Sequence, residues 1–250
     1  MLRNGAITED RVAETFARLF IAADGTSLRR EDRQKVRELH GLLDALGPVS
    51  KRALVVDAAA GKGSVGIIVS ALLGTKRVLV LEKNPAHAAL ARSAAARITG
   101  AGASDAQIEV RECDVNDPAA WPDRPDLVVA LHACGPASDA VLDRAVAAHA
   151  RRIVIVPCCY ADTVPFAPRA TELAEAMGIA HHPEVRRRAV VSLIDAERTL
   201  RLEAAGYETV VVPFVAPTVT PHNLAWRARW SGEPRRMAEA RTALERMHAT

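Results

Sequence analysis

Residues 53–66, Ala-Leu-Val-Val-Asp-Ala-Ala-Ala-Gly-Lys-Gly-Ser-Val-Gly, decide the fold of this chain. A short β-rich run, Leu54 to Val56, reaches an acid, Asp57. It then passes through a turn of small residues into an apolar helical stretch from Val65 to Leu73. Gly61, Gly63 and Gly66 satisfy G-x-G-x-x-G, a spacing that lets a backbone turn tightly and approach a nucleotide-like ligand. Two ligands fit such a turn, a dinucleotide or S-adenosylmethionine.

Asp57 begins to separate them. A dinucleotide site sets a pyrophosphate on the helix N-terminus, where a carboxylate would repel it. S-adenosylmethionine carries no phosphate, and its ammonium end suits an acid at the tip of strand one. Glu82 lies about 20 residues beyond the first glycine, where an acid can accept both ribose hydroxyls. Either ligand predicts that acid. Asp114 discriminates better, because a carboxylate at the end of strand three can accept the adenine amine. The candidate cofactor contacts are Asp57, Ala59, Gly61, Lys62 and Gly63 on the turn, Glu82 and Lys83 after strand two, Asp114 and Val115 after strand three, and Leu131 on strand four.

Outward from the turn, strand and helix patterns alternate. Strands are expected at Ala53–Asp57, Arg77–Glu82, Ile108–Asp114, Asp126–His132 and Arg152–Pro157, with helices from Ser64, from Asn84-Pro85 and from Ser138 between them. Five βα repeats predict a parallel sheet covered on both faces. A Pro-interrupted stretch, 161–189, holds a short helix near Thr171–Met177, and a longer helix spans Ser192–Ala205. Strands Tyr207–Val215 and Asn223–Trp230 then form an antiparallel edge hairpin. The expected fold is α/β, a seven-stranded Rossmann-like class I sheet with N-terminal helices. Residues 1–50 read as a helical extension or lid, 51–232 as the Rossmann-like domain and 233–250 as a C-terminal helix.

With 250 residues, 49% hydrophobic and 25% charged, the composition is that of a globular protein with a large core. The net charge of +3 permits nucleic-acid binding without arguing for it. No apolar run reaches the roughly 20 residues that span a bilayer, and Met1 to Asp10 lacks the pattern of a signal peptide. The expected location is cytoplasmic, with no membrane partner. Cys113, Cys134, Cys158 and Cys159 make no spaced disulfide framework, so reduced thiols are expected.

Strand four runs into Leu131-His132-Ala133-Cys134-Gly135 and strand five into Pro157-Cys158-Cys159-Tyr160. Neighbouring strands lie about 4.8 Å apart, so these tips would bring a His and three thiols together beside the glycine turn. Small buried thiols can simply allow loops to approach a ligand. Zinc also suits His and thiolate, but H-x-C with adjacent cysteines is not an ordinary zinc spacing, and no metal is assigned. The third reading makes His132, Cys134, Cys158, Cys159 and Tyr160 the catalytic or acceptor-positioning group, with His132 as a base and Tyr160 as a stacking wall.

Together Asp57-Ala-Ala-Ala-Gly-Lys-Gly, Leu131-His-Ala-Cys-Gly and Pro157-Cys-Cys-Tyr resemble the class I methyltransferase-like domain family of the glutathione S-transferase C-terminal-domain-containing protein and its relatives. Related H-x-C-G and C-C patterns occur in a tRNA 2′-O-methyltransferase family. The resemblance covers roughly residues 30–230, through Arg198-x-x-Arg201-Leu and Thr220-Pro-His-Asn-Leu. It implies a class I fold, S-adenosylmethionine as cofactor and methyl transfer to an unidentified acceptor. RNA leads among acceptors, on that analogy and a scatter of arginines that includes Arg186-Arg187-Arg188. The alternatives are an NAD(P)-dependent oxidoreductase and a non-catalytic binding module of the same fold.

Overall fold

The computed structural model describes residues 7–21, 27–100, 105–158, 160 and 163–249. Five strands are mutually parallel: β1 (Leu54–Ala58), β2 (Arg77–Glu82), β3 (Gln107–Glu112), β4 (Leu127–Ala133) and β5 (Arg152–Pro157). With β6 (Tyr207–Pro213) and β7 (Leu224–Trp230) they form one sheet in the order β3-β2-β1-β4-β5-β7-β6. β7 runs antiparallel to both β5 and β6, so the expected hairpin closes one edge. The order turns at β1, whose neighbours are β2 on one side and β4 on the other. Ligands of open α/β sheets bind beyond the carboxyl ends of the strands at such a switch point.

The central strands are buried on both faces, which explains their continuous aliphatic runs. Val55, Val80, Val129 and Val156 face a core completed by α1 (Glu9–Phe20), α2 (Arg30–Leu46), α3 (Ser64–Leu73) and α4 (Pro85–Thr99). Val56, Leu81, Val128 and Ile155 face a second core with α5 (Ala137–Ala147) and α7 (Pro183–Ala204). Asp57, between Val56 and Ala58, falls on the first side by the two-residue period of a strand. α6 (Ala167–Ala176) and α8 (Pro234–His248) pack along α7.

Local sequence accounts for most boundaries. Asn84 caps α4 by accepting from the N–H groups of Ala86 and His87, and Pro85 takes the first helical position. Three expectations are corrected. α7 begins at Pro183 rather than Ser192, and α6 at Ala167, because Pro183 and Pro168 occupy first-turn positions where a missing N–H costs nothing. Arg186-Arg187-Arg188 therefore lie within α7 and not in a preceding loop. β3 ends at Glu112, so Asp114 sits in the following turn, where its Oδ1 accepts from the Asn116 backbone and side chain. Trp226 is buried and donates to Thr199, whereas Trp230, on the same strand, is 58% exposed.

α2 is seated firmly enough to help shape the carboxyl edge. Arg152 donates to the carbonyls of Leu46 and Pro48 at its C-terminal end, completing acceptors that the helix cannot satisfy itself. At Gly41 the helix touches the segment after β6, where an added Cβ would stand 2.1 Å from the Phe214 carbonyl oxygen. Backbone cannot move aside as a side-chain tip does. Gly41→Ala is expected to destabilise by about 1–3 kcal/mol, read as a lower denaturation midpoint; an unchanged midpoint would show that α2 is not held there.

Candidate functional site

At the end of β1 the chain turns through Ala59, Gly61 and Gly63, all at positive φ (51°, 56° and 70°). Two carboxylates hold this turn from outside it. Glu82 Oε2 accepts from the Gly61 N–H at 2.7 Å while its Oε1 accepts from Asn84 N–H at 2.8 Å. Asp57 Oδ2 accepts from the Gly66 N–H at 2.7 Å, anchoring the first turn of α3. Gly66 is required there, since a Cβ would meet Val78 at 2.8 Å and the Asp57 Cβ at 3.0 Å. A Cβ at Gly61 would meet nothing within 4 Å, so that glycine faces open space and leaves its backbone accessible to a ligand.

Asp57 is 1% exposed, and its Oδ1 is buried without a hydrogen-bond partner among the described residues. Burial pushes its pKa up to about 7, with the Gly66 bond and Lys35 pulling it down and Glu82 adding to the rise. A buried acceptor left unsatisfied is costly. A cationic donor at the carboxyl edge would relieve it.

The tip of β4 stands beside this turn. The β4–β5 register shifts between Leu131 and Ala133, and His132 in the shifted segment has φ 62°, a conformation rare for residues other than glycine. Its Nε2 lies 3.1 Å from Glu38 Oε2, on α2. Burial raises Glu38, but the hydrogen bond and charge of His132, with Lys35 and Gln34, outweigh that and hold the carboxyl below its usual value. An ionised carboxylate only accepts, so His132 Nε2 carries the proton. In the neutral ring Nδ1 is then the acceptor nitrogen, and it is buried without a partner among the described residues. Cys134 Sγ and Cys158 Sγ are 3.0 Å apart, and Cys134 also meets the His132 carbonyl at 3.4 Å. Half-buried Lys35 lies 3.8 Å from Glu38; burial lowers its pKa, opposed by Glu38, Asp57 and Cys158.

Tyr160, beyond β5, faces α7, with Cys158 close enough to act on it. Its hydroxyl bonds Asp195, and burial with that carboxylate keeps the phenol well above its ordinary pKa. Arg198 lies 5.2 Å from its ring centroid and is itself fully buried, bound through two nitrogens to Asp139 at 3.2 and 2.7 Å.

The structure thus joins Asp57, Gly61, Gly63 and Glu82 at the turn, and His132, Cys134 and Cys158 at the next strand tips. Asp114 and Lys83 share the adjoining rim, since the Lys83 charge helps lower Asp114, after the Asn116 bonds. Val115 and Leu131 are buried beneath it, whereas Lys62 is exposed. Cys159 lies outside the described residues. Among those described, no group of three or more His, Cys, Asp and Glu is arranged to hold a metal. A cleft of about 810 Å³ opens at the amino ends of the strands, between Ser50, Arg151 and Trp230, and contains no expected site residue.

Glu38, Lys35 and Gln34 are the contribution that the strand-and-turn reading did not place in the site. One signal was present. Glu38 stands one and two helical turns before Leu42 and Ala45 on one face of α2, an acid leading into the apolar part of that face.

A family model described as a methyltransferase domain matches residues 33–164. The glutathione S-transferase C-terminal domain-containing protein of Xenopus laevis is 26% identical over 223 residues, 80% of this chain and 35% of that protein. Its homolog in Drosophila pseudoobscura pseudoobscura is 24% identical over 218 residues, 76% of this chain and 35% of its own. This chain therefore spans about a third of the length of the curated relatives it matches. A crystal structure of a fibrillarin/Nop5p complex shares the fold, with a TM-score of 0.50 at 10% identity over 78% of this chain and 81% of that one.

Asp57 makes stability depend on pH in a defined direction. With a folded value of about 7 against 3.8 ordinarily, the native state binds the extra proton between those limits. Stability therefore falls as pH rises through that window and levels off above it. Asp57→Asn keeps an acceptor for Gly66 and removes the charge. Its Tm should fall less than that of the wild type between pH 5 and pH 7.5, by several degrees, at about 2–4 °C for each kcal/mol. Parallel pH profiles would refute the burial of a titrating Asp57.

Proposed function

The chain belongs to the methyltransferase-domain family, and we propose that it carries methyl groups from S-adenosylmethionine to RNA. The carrying observation is one juxtaposition. A glycine turn pinned by Glu82, with a buried, under-satisfied Asp57 behind it, stands beside a His132 whose tautomer is fixed by Glu38.

The donor groups suit this cofactor. Asp57 Oδ1 lacks the donor that an ammonium supplies, and the space beside Gly61 lets a ligand come close to the turn, whose Gly61 N–H is already given to Glu82. Glu82 spends one interaction of each oxygen on backbone N–H groups and keeps capacity for ribose hydroxyls. Asp114, held low by its turn, remains a charged acceptor on the adenine side. When bound, S-adenosylmethionine supplies an electrophilic methyl group on a sulfonium and leaves as the neutral thioether. His132 Nδ1 takes the proton released by the acceptor O–H or N–H as that atom bonds to the methyl carbon. Glu38 stabilises the imidazolium so formed and holds its ring in place. Lys35 balances the charges of Glu38 and Asp57. Cys134 and Cys158 line the mouth between cofactor and acceptor. In this reading α2, within the 1–50 extension, walls one side of the site, 51–232 carry the chemistry and α8, within 233–250, braces α7. The chain acts in the cytoplasm; no helix among the described residues is long and apolar enough to cross a membrane.

Titration with S-adenosylhomocysteine and, separately, NADH tests the cofactor. Saturable binding of the former alone is expected, and NADH binding without it would overturn the reading in favour of an oxidoreductase. His132→Ala should cut methyl transfer to an RNA pool by about 10²–10⁴-fold, with S-adenosylhomocysteine affinity within twofold of wild type. Glu38→Gln should fall between the two. Full activity in the His132 variant would remove the proposed base, and failure of the wild type to methylate any RNA despite tight binding would leave a binding module.

A further inference from the structure

At the tip of β5 a cleft of about 600 Å³ opens between the first turns of α7 and the segment entering β7. Pro157, the last residue of β5, lies at its inner end, so the cleft reaches the edge that carries His132 and Cys158. Its walls present Arg187 and Arg188, Tyr160, Asp195, and His222 with Asn223.

The charge in this cleft is lopsided. Asp195 is already engaged by the Tyr160 hydroxyl and stands 3.7 Å from the buried Arg198. Arg187 meets Glu184 at 3.1 Å, an exposed pair three residues apart on one helix that competes weakly with a stronger anion. Arg188 makes no ion pair among the described residues. Two guanidinium groups therefore stand at the mouth with their donors largely available, the arrangement that suits phosphate.

Deeper in, the cleft is aromatic. The rings of Tyr160 and His222 are near parallel, 27° apart, with centroids separated by 6.2 Å. Tyr160 cannot swing away, because Asp195 holds its hydroxyl and Arg198 lies over its ring. Burial, with His132 and Arg187 nearby, lowers the pKa of His222 and favours its neutral, stacking form. A flat ring sandwiched at contact distances of about 3.5–4.0 Å on each side needs about 7–8 Å. The two rings would have to part by about 1–2 Å to admit it. Phosphate donors outside and a stacking pair inside describe a site for a nucleotide.

We propose that this cleft binds one nucleotide unit of the acceptor, with its base stacked on Tyr160 and His222 and its phosphate on Arg187 and Arg188. The inference rests on the methyltransferase reading and names where and by what chemistry that acceptor is held. The nucleotide can come from a single-stranded RNA or from a free nucleoside phosphate.

Binding of a fluorescently labelled single-stranded RNA oligonucleotide to the full chain, followed by anisotropy across a salt series, tests this. Mixed nucleoside monophosphates serve as competitor, and S-adenosylhomocysteine affinity is measured on every variant as a control of folding and cofactor binding. The double variant Arg187→Ala/Arg188→Ala should weaken RNA binding at least tenfold. It should also flatten the slope of log affinity against log salt by about 0.7, one single-strand phosphate neutralised. The Lys pair at the same positions should retain most of the affinity and slope. His222→Ala should weaken binding about fivefold or more with the slope unchanged. Monophosphates that compete as well as the oligonucleotide would assign the cleft to a free nucleotide and away from an RNA strand. Wild-type affinity in the double variant, or no binding of either ligand to a wild type that binds S-adenosylhomocysteine, would overturn the proposal. Loss of S-adenosylhomocysteine binding by the wild type would instead overturn the cofactor reading on which it rests.

Discussion

The hydrogen bond from Gly66 N–H to the buried carboxylate of Asp57 is the constraint on which the site depends. It ties the carboxyl end of β1 to the first turn of α3 and so fixes the curvature of everything between them. The acid is costly where it stands: it is almost fully buried, its second oxygen lacks a donor, and Glu82 is close enough to raise its pKa further. The fold offsets that cost with the Gly66 N–H and the charge of Lys35, without cancelling it. A group kept partly unsatisfied inside a well-packed core is what a preorganised binding site looks like energetically.

Around that bond the sheet works as a set of graded positions. Glu82 takes up the N–H groups of Gly61 and Asn84, so the second acid stabilises the turn that a ligand approaches. On the other side of β1, the register shift at the end of β4 turns His132 out of the ladder and towards α2. Left-handed backbone at a histidine is strained, and such strain persists only where its surroundings enforce it. Glu38 is the enforcing partner. α2 in turn is fixed by Arg152 at its C-terminal end and by the close approach of Gly41 to Phe214. The base proposed for catalysis is thus oriented by a helix at the beginning of the chain, itself anchored on the last parallel strand.

Much of this was legible in residue order. The alternation of aliphatic runs with helical periods gave the five parallel strands within a residue or two, because a strand buried on both faces must be continuously apolar. Asn84-Pro85 marked a helix start by chemistry that is purely local. Asp57, Glu82 and the H-x-C and C-C-Y tips could be placed on one edge, since every parallel strand of such a sheet ends on the same side. Pro183 was misread because proline interrupts a helix anywhere except in its first turn, and the residues around it do not say which case applies until α7 has a surface to pack on.

Residue order, then, determined the strand sequence, the position of the glycine turn and the edge on which chemistry gathers, because these follow from periodicity and chain direction. Tertiary structure alone decided what touches what on that edge. It joined Glu38 to His132 across a long stretch of chain and directed Asp57 inward to α3. It also turned Tyr160 towards α7 and set it among Asp195, Arg198 and His222, with Cys158 still close enough to act on it. Those pairings depend on how helices seat against the sheet, a matter of packed volume and burial to which no single segment of the chain gives access.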